Sequence, residues 1–211
     1  MAGRGVTRRE VLDLSAKLFA VHGYRSTSLE VVAEQLGVTR QALYYHFKSK
    51  SEILGALYEE QMTKLESAVA AVAADPAVPA QDRFVRMLEA HVAVTVANAD
   101  LVVVLLHERP EIAKLKELRS VKRRRDYARS FTEAYAAGVA AGVLLPMDPW
   151  MAVNTLISAT NGVSWWHHVE GGSGARAAEV GERLTTLLAG GFLMPATAER
   201  RTRRAPRSHA A

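Results

Sequence analysis

Residues 39–46 read TRQALYYH, and two neighbours in that string, Arg40 and Gln41, carry side chains able to form bidentate bonds to guanine and adenine edges in a DNA major groove. Tyr44, Tyr45 and His46 follow at spacings that leave them on the outside of a short helix. Hydroxyls stand at two predicted helix starts, Thr27/Ser28 and Thr39. Together with Lys50 they suit phosphate oxygens, which position a protein on a duplex without reading its bases. Ala42 occupies a place where a polar reader could stand, and its methyl group suits apolar contact with thymine. Two of these side chains have blander readings: Tyr44 can serve packing, and His46 can be a solvated surface residue.

Catalytic chemistry has no comparable set. His167 and His168 are adjacent, so a helix points them about 100° apart and they cannot chelate as an i, i+4 pair. His107-Glu108 has no third ligand nearby in sequence, and there is no His-Glu-x-x-His, no Gly-x-Ser-x-Gly and no glycine-rich phosphate loop. No catalytic residue, metal site or cofactor is expected, and an enzyme using a C-terminal pocket is the remote alternative. Cysteine is absent, which removes disulfides, thiolate metal sites and cysteine nucleophiles and suits the reducing cytoplasm.

The elements that must position Arg40 and Gln41 follow from period-3.6 patterning. A first helix is predicted over about Arg8–His22, with Val11, Leu14, Leu18 and Phe19 on one face, stopped by Gly23. A second runs to Leu36 and ends at Gly37, which can take the left-handed conformation of a sharp turn. A third, capped by Thr39, reaches Phe47. Val32, Leu36, Val38, Leu43 and Phe47 form the small core, with Ala33 where the helices cross closely. Ser49 and Glu52 make a capping box for a long fourth helix to about Ala74, before the break DPAVPA at 75–80. Beyond it, helices are predicted over 81–98, 100–108, 111–119, 120–141, 149–168 and 175–190. Leu101–Leu106 (LVVVLL) has strand propensity but no partner strand, so it reads as a buried helix. The uncharged run Pro149–Val169 is long enough to span a bilayer. Its Asn154, Thr155, Asn161, His167 and His168 make it a buried or interface helix instead. The basic start MAGRGVTRRE leads into an apolar stretch broken by Asp13 and Lys17, so no targeting peptide is expected.

Charge is uneven. The 211-residue chain carries +5, residues 1–50 hold +4, residues 199–211 hold +4, and the rest is slightly acidic. A basic head on an acidic body suits a head that meets a polyanion. The fold class expected is all-α, with a helix-turn-helix head at 1–50, a helical body at 51–194 and a disordered basic tail at 195–211.

The string TSLEVVAEQLGVTRQALYYHFKSKSEIL, residues 27–54, resembles the DNA-binding domain of the TetR/AcrR family of bacterial transcriptional regulators. The matching features are Thr27-Ser28, Val32-Ala33, Leu36-Gly37-Val38, and Leu43-Tyr44-Tyr45-His46-Phe47 followed by Lys50. The resemblance implies a cytoplasmic homodimeric repressor that reads a double-stranded operator with one helix per half-site, about 34–36 Å apart. It also implies a C-terminal domain answering to a small effector. The last two helices would form the dimer interface through Trp150, Val153, Ile157 and Trp165 on one, and Leu184, Leu187, Leu188 and Phe192 on or just after the other. The same residues could be intramolecular core. Effector-lining candidates are Met87, His91, Thr95, Leu105, His107, Phe131, Tyr135, Asn161 and Trp165, an apolar set that suits a greasy ligand, although such residues can equally be core. The cluster Arg119, Lys122, Arg123, Arg124, Arg125 and Arg129 is either a solvated face or, with Arg123 as a candidate contact, a dock for a ligand phosphate. A valine-rich helix ending in His107-Glu108-Arg109, followed by Asn161-Gly162 and Trp165-Trp166, resembles the acyl-CoA-responsive branch of the family. A regulator with no small-molecule effector, controlled by a protein partner or by abundance, is the alternative.

Overall fold

The computed structural model describes residues 5–115, 120–169 and 174–194, with backbone alone for 163–169 and 174–178. Arg119, the glycine-rich loop after the ninth helix, the tail from 195, and the side chain of Trp165 therefore lie outside the described residues.

The described chain is helical, as its periodicity predicts. The head comprises α1 (Arg8–His22), α2 (Leu29–Leu36) and α3 (Arg40–His46), and α4 (Lys50–Ala74) leads out of it. The body continues with α5 (Arg83–Ala97), α6 (Ala99–His107), α7 (Arg109–Lys114), α8 (Ser120–Ala140), α9 (Pro149–Val169) and α10 (Gly174–Phe192). Extended pairing among the described residues is confined to one antiparallel bridge, Leu144 with Leu193.

Local chemistry accounts for the helix ends. Thr7 and Glu10 form a capping box at α1: the Thr7 hydroxyl accepts from the Glu10 amide (3.2 Å) and the Glu10 carboxylate from the Thr7 amide (2.8 Å). The box expected at α4 is shifted by one residue. Ser49 accepts from the Glu52 amide (3.2 Å), but Glu52 accepts from the Lys48 amide (2.7 Å). Gly37 ends α2 at φ 66°, ψ 32°, a conformation costly for any residue with a Cβ. LVVVLL is helical: Val102, Val103, Val104 and Leu105 are buried on all sides of α6, so tertiary packing overrides their strand propensity.

The head core contains Val11, Phe19, Val32, Leu43 and Phe47, with Leu36 and Val38 packed at its margin. Ala33 is buried where α2 meets its neighbours, as its size requires. In the body α5 is the central helix, packed on α4, α8, α9 and α10. At Asn98 the chain bends by 87° into α6. The Asn98 side chain supports that bend, donating to the Val94 carbonyl (2.7 Å) and accepting from Lys64 (3.4 Å). Gly138 lets Leu144 fold back onto α8; a Cβ there would stand 2.5 Å from Leu144 Cδ1. Among the described residues no single helix is long and apolar enough to cross a membrane. The uncharged run is α9, which buries Ala152, Val153, Leu156 and Thr160 within the chain.

Candidate nucleic-acid interface and ligand cavity

Two sites emerge, one in the head and one in the body. In the head, Ser28 caps α2 by accepting from the Val31 amide (3.3 Å), and Thr39 caps α3 by accepting from the Ala42 amide (3.2 Å). Leu43 turns inward and anchors α3, which leaves Arg40, Gln41 and Tyr45 exposed and Tyr44 half-buried. The Arg40 guanidinium lies 2.8 Å from the Glu30 carboxylate and 3.0 Å from the Tyr44 hydroxyl. That pair is fully in water, so solvent screens it and the guanidinium can exchange partners.

Three head residues differ from expectation. Thr27 is buried, and its hydroxyl donates to the Gly23 carbonyl (2.9 Å), so it closes the α1–α2 turn and its side chain does not reach the surface. His46 Nε2 donates to the Val6 carbonyl (2.7 Å), holding the segment before α1 against the end of α3. Lys50 is the largest correction. Its ammonium donates to the carbonyls of Tyr24 (2.6 Å), Arg25 (3.1 Å) and Thr27 (2.8 Å) and sits 4.5 Å over the Tyr24 ring. All three donors of that group are engaged within the chain, where they gather the carbonyls of the α1–α2 turn. Partial burial lowers the Lys50 pKa, against the opposing field of Glu108. Lys48, absent from the sequence-derived set, lies exposed beside α3 and donates to the Tyr44 carbonyl (3.0 Å).

The second site is a cavity of about 570 Å³ enclosed by α4, α5, α6, α7, α8 and α9. Helical spacing builds its walls: Tyr58, Gln61, Met62 and Leu65 from α4; His91 and Thr95 from α5; Trp150, Asn154, Ile157 and Asn161 from α9. The Tyr58 hydroxyl ties α4 to the start of α8 by donating to the Ser120 carbonyl (3.2 Å). Arg109, Arg124 and Arg125 also line the cavity, alongside the exposed Val121 and Trp150, which places them at its rim. Among the described residues none of the three arginines pairs with a carboxylate. Burial lowers the pKa of Arg109, and the like charge of Arg124 adds to this. Arg109 and Glu108 adjoin at the α6–α7 junction. One faces the cavity, while the field of the other reaches Tyr24 and Lys50 in the head.

Of the residues singled out for this site, the structure brings His91, Thr95, Leu105 and Asn161 to the cavity wall. Met87, Phe131 and Tyr135 are core instead. Phe131 and Tyr135 pack edge-on against Phe84, and the Tyr135 hydroxyl donates to the Leu145 carbonyl (2.8 Å). His107 is exposed and does not line the cavity. Arg123 turns the other way, toward α4, where it binds Glu66 (2.6 Å), Glu59 and Thr63 (2.9 Å); hydrogen bonding to Glu66 raises its pKa. Lys122 and Arg129 share Asp126. The basic cluster thus divides into an ion-paired face and two cavity arginines, Arg124 and Arg125. Gln61 was missed although it interrupts the apolar stripe of Leu57, Met62 and Leu65, a signal that was available. Val153 and Leu184, expected at a dimer interface, are buried within the chain, whereas Trp150, Met151 and Leu187 are exposed on α9 and α10.

Four buried polar atoms around this cavity have no bonding partner: Gln61 Nε2 and Oε1, His91 Nε2 and Thr95 Oγ1. Each unmet group costs about 1–3 kcal/mol. His91 is buried, its Nδ1 lying 2.9 Å from the Tyr127 hydroxyl, and burial pushes its pKa down to about 4. The unfolded chain takes up this proton near pH 6.5, so below that pH it binds protons that the folded chain refuses. Stability should therefore fall between pH 6.5 and 4, by about 3 kcal/mol at 1.4 kcal/mol per pH unit. Urea unfolding across that range, compared with a His91→Gln variant, checks this; parallel profiles would overturn it. Among the described residues no group of three His, Asp or Glu side chains could hold a metal ion.

Two family models match the chain. Residues 11–57 match "Bacterial regulatory proteins, tetR family", and residues 77–192 match "Tetracyclin repressor-like, C-terminal domain". A curated relative, the HTH-type transcriptional regulator AcrR of Shigella flexneri, is 45% identical over 53 residues. That match spans about a quarter of each chain. A TetR/AcrR-family regulator of known structure from Thermobifida fusca is 34% identical, covering 87% of this chain and 97% of its own at a TM-score of 0.65. The ketosteroid regulator KstR2 of Mycobacterium tuberculosis shares the fold at a TM-score of 0.79 and 22% identity, over 92% of this chain and 98% of its own. AibR, solved with isovaleryl coenzyme A and operator DNA, shares it at 0.70 and 21% identity, over 87% and 96%.

Proposed function

Because the chain belongs to the TetR family of bacterial regulatory proteins, we propose that it is a cytoplasmic DNA-binding repressor whose α3 enters the major groove and whose cavity admits the releasing effector. The single observation that carries the DNA reading is the presentation of α3. A left-handed Gly37 turn and the buried Leu43 set that helix so that Arg40 and Gln41 stand exposed on a basic head. Arg40, Gln41, Tyr44 and Tyr45 are assigned to the groove, Ser28, Thr39 and Lys48 to flanking phosphates, and Thr27, His46 and Lys50 to holding the reading helix in place. Residues 1–50 act as the reading head and residues 51–194 as the effector and dimerisation domain. The exposed apolar residues Trp150, Met151 and Leu187 suit pairing of α9 and α10 with a second copy.

The cavity argues for effector control over control by abundance alone. Its apolar walls suit a greasy ligand, and three rim arginines without carboxylate partners suit an anionic head such as the phosphates of an acyl-CoA. AibR, with its bound thioester, lends support by fold likeness. An effector releases DNA only insofar as it binds the DNA-free conformer more tightly. The α6–α7 junction is the natural coupling element, since Arg109 faces the cavity and Glu108 acts on the head.

The experiment is selection of the operator from genomic DNA, followed by displacement with acyl-CoAs, the matching free fatty acids and aromatic drugs. A CoA thioester should release the protein where its free acid does not, and Arg124→Ala should abolish that difference. Release by uncharged compounds alone would return the arginines to a solvent role. On the selected operator, Gln41→Ala and Arg40→Ala should each lose roughly tenfold to hundredfold in discrimination against single-base changes. Uniform weakening at all sequences would move that residue from base reading to the backbone.

A further inference from the structure

The cavity's buried polar atoms say more about its occupant than its volume does. Gln61, His91 and Thr95 are 3%, 3% and 1% exposed and stand on α4 and α5, two helices packed against each other. His91 and Thr95 are four residues apart, on one face of α5. A helical threonine has an easy partner in the carbonyl four residues back. Thr160, Thr185 and Thr186 all use it here, donating to Leu156 (3.0 Å), Gly181 (2.9 Å) and Glu182 (3.0 Å). Thr95 does not, and its hydroxyl is left without a partner. Gln61 leaves both ends of its amide unmet, and His91 leaves Nε2 unmet while Nδ1 is engaged by Tyr127.

This end of the cavity therefore supplies donors and acceptors together. The cations that line the cavity, Arg109, Arg124 and Arg125, are at the rim beside exposed residues. A carboxylate buried against Gln61 and Thr95 would have no counter-charge, and burial keeps His91 neutral. An ether oxygen or a halogen is a weaker acceptor than a carbonyl or hydroxyl oxygen and meets these donors less well. A carbonyl satisfies the Gln61 amide N–H and the Thr95 O–H, and a hydroxyl can in addition donate to Gln61 Oε1.

We propose that the buried end of the cavity recognises an uncharged oxygen function, a ketone or a hydroxyl, on the leading end of an otherwise apolar ligand whose charged end stays at the arginine rim. This rests on reading the cavity as the effector site and adds what the effector must carry.

The test uses the full chain and two probes of equal length, decanoate and 9-oxodecanoate, with binding followed by tryptophan fluorescence and thermal shift in the absence of DNA. The oxo acid should bind about tenfold more tightly, the worth of one buried hydrogen bond to a neutral group. Gln61→Leu and Thr95→Val should erase that preference while leaving the melting temperature of the free protein unchanged or higher, because each removes an unmet polar group. Equal affinity for the two probes, or no binding of either, overturns the proposal. So does a preference that survives both substitutions. A clear preference for the oxo acid in binding, with no effect of the CoA thioester of either probe on the operator complex, leaves the polar recognition intact and overturns the effector reading instead.

Discussion

Lys50→Met should weaken operator binding by about tenfold to hundredfold at every sequence while leaving the slope of affinity against salt as it is in the parent protein. The ammonium donates to the carbonyls of Tyr24, Arg25 and Thr27, the stretch of chain that joins α1 to α2. Hydrogen bonds to a charged group contribute roughly 1.5–3 kcal/mol each, and partial solvation of the site reduces the total to about 2–4 kcal/mol. Methionine keeps the aliphatic stem against Tyr24 and removes only the donors. The turn then loses the group that gathers its carbonyls, and the buried Thr27–Gly23 bond beneath it loses its cover. The α2–α3 pair is thereby less well seated for entry into a groove. Salt dependence separates this account from the one suggested by residue type. A lysine on a phosphate contributes about one unit of slope, and its removal should flatten the curve by that amount. Affinity measured at several salt concentrations, beside a melting curve of the free protein, reads both. A lower slope with unchanged stability would return Lys50 to the phosphate backbone.

Phe84→Ala should destabilise the protein by about 3–5 kcal/mol, a large share of the roughly 5–15 kcal/mol that keeps an ordinary domain folded. The ring is fully buried on α5, edge-on to Tyr135 at a centroid distance of 4.9 Å and to Phe131 at 6.3 Å. Through Tyr135 the same cluster reaches Phe192 on α10. Removing it opens a cavity at the junction of α5, α8 and α10, which cannot close without shifting the helix that also carries His91 and Thr95. Phe84→Leu fills part of the space and should recover roughly half of the loss. Urea unfolding measures both variants; a cost below about 1 kcal/mol for Phe84→Ala would mean that this cluster is not central to the core.

Much of this architecture is legible in the residues. Ser28, Gly37, Thr39 and Ser49 mark helix ends by chemistry confined to one turn, so they can be located without knowing what packs nearby. The apolar faces of α1 and α4 emerge from periodicity for the same reason. Even LVVVLL, whose composition favours a strand, could be placed correctly because no other segment offered a partner for it. The exposed pair Arg40 and Gln41 follows from the burial of Leu43 one turn away.

What the sequence by itself determined, then, is the set of helices, the reading head and the family to which they belong. Tertiary structure decided where the long polar side chains terminate. Lys50, Arg123 and Arg124 carry the same charge, yet the first ends on three carbonyls 23 to 26 residues away, the second on Glu59 and Glu66, and the third at a cavity rim. Met87, Phe131 and Tyr135 look like cavity residues on a helical wheel and are core: Phe131 and Tyr135 pack on Phe84, and Leu145 and Phe192 close over Tyr135. Gln61 looks like a lapse in an apolar stripe and is a cavity wall. The reason is one of range. Helix formation and capping are settled within about four residues, whereas a flexible charged or polar side chain is settled by whichever partner the packing of distant helices brings within 3 Å.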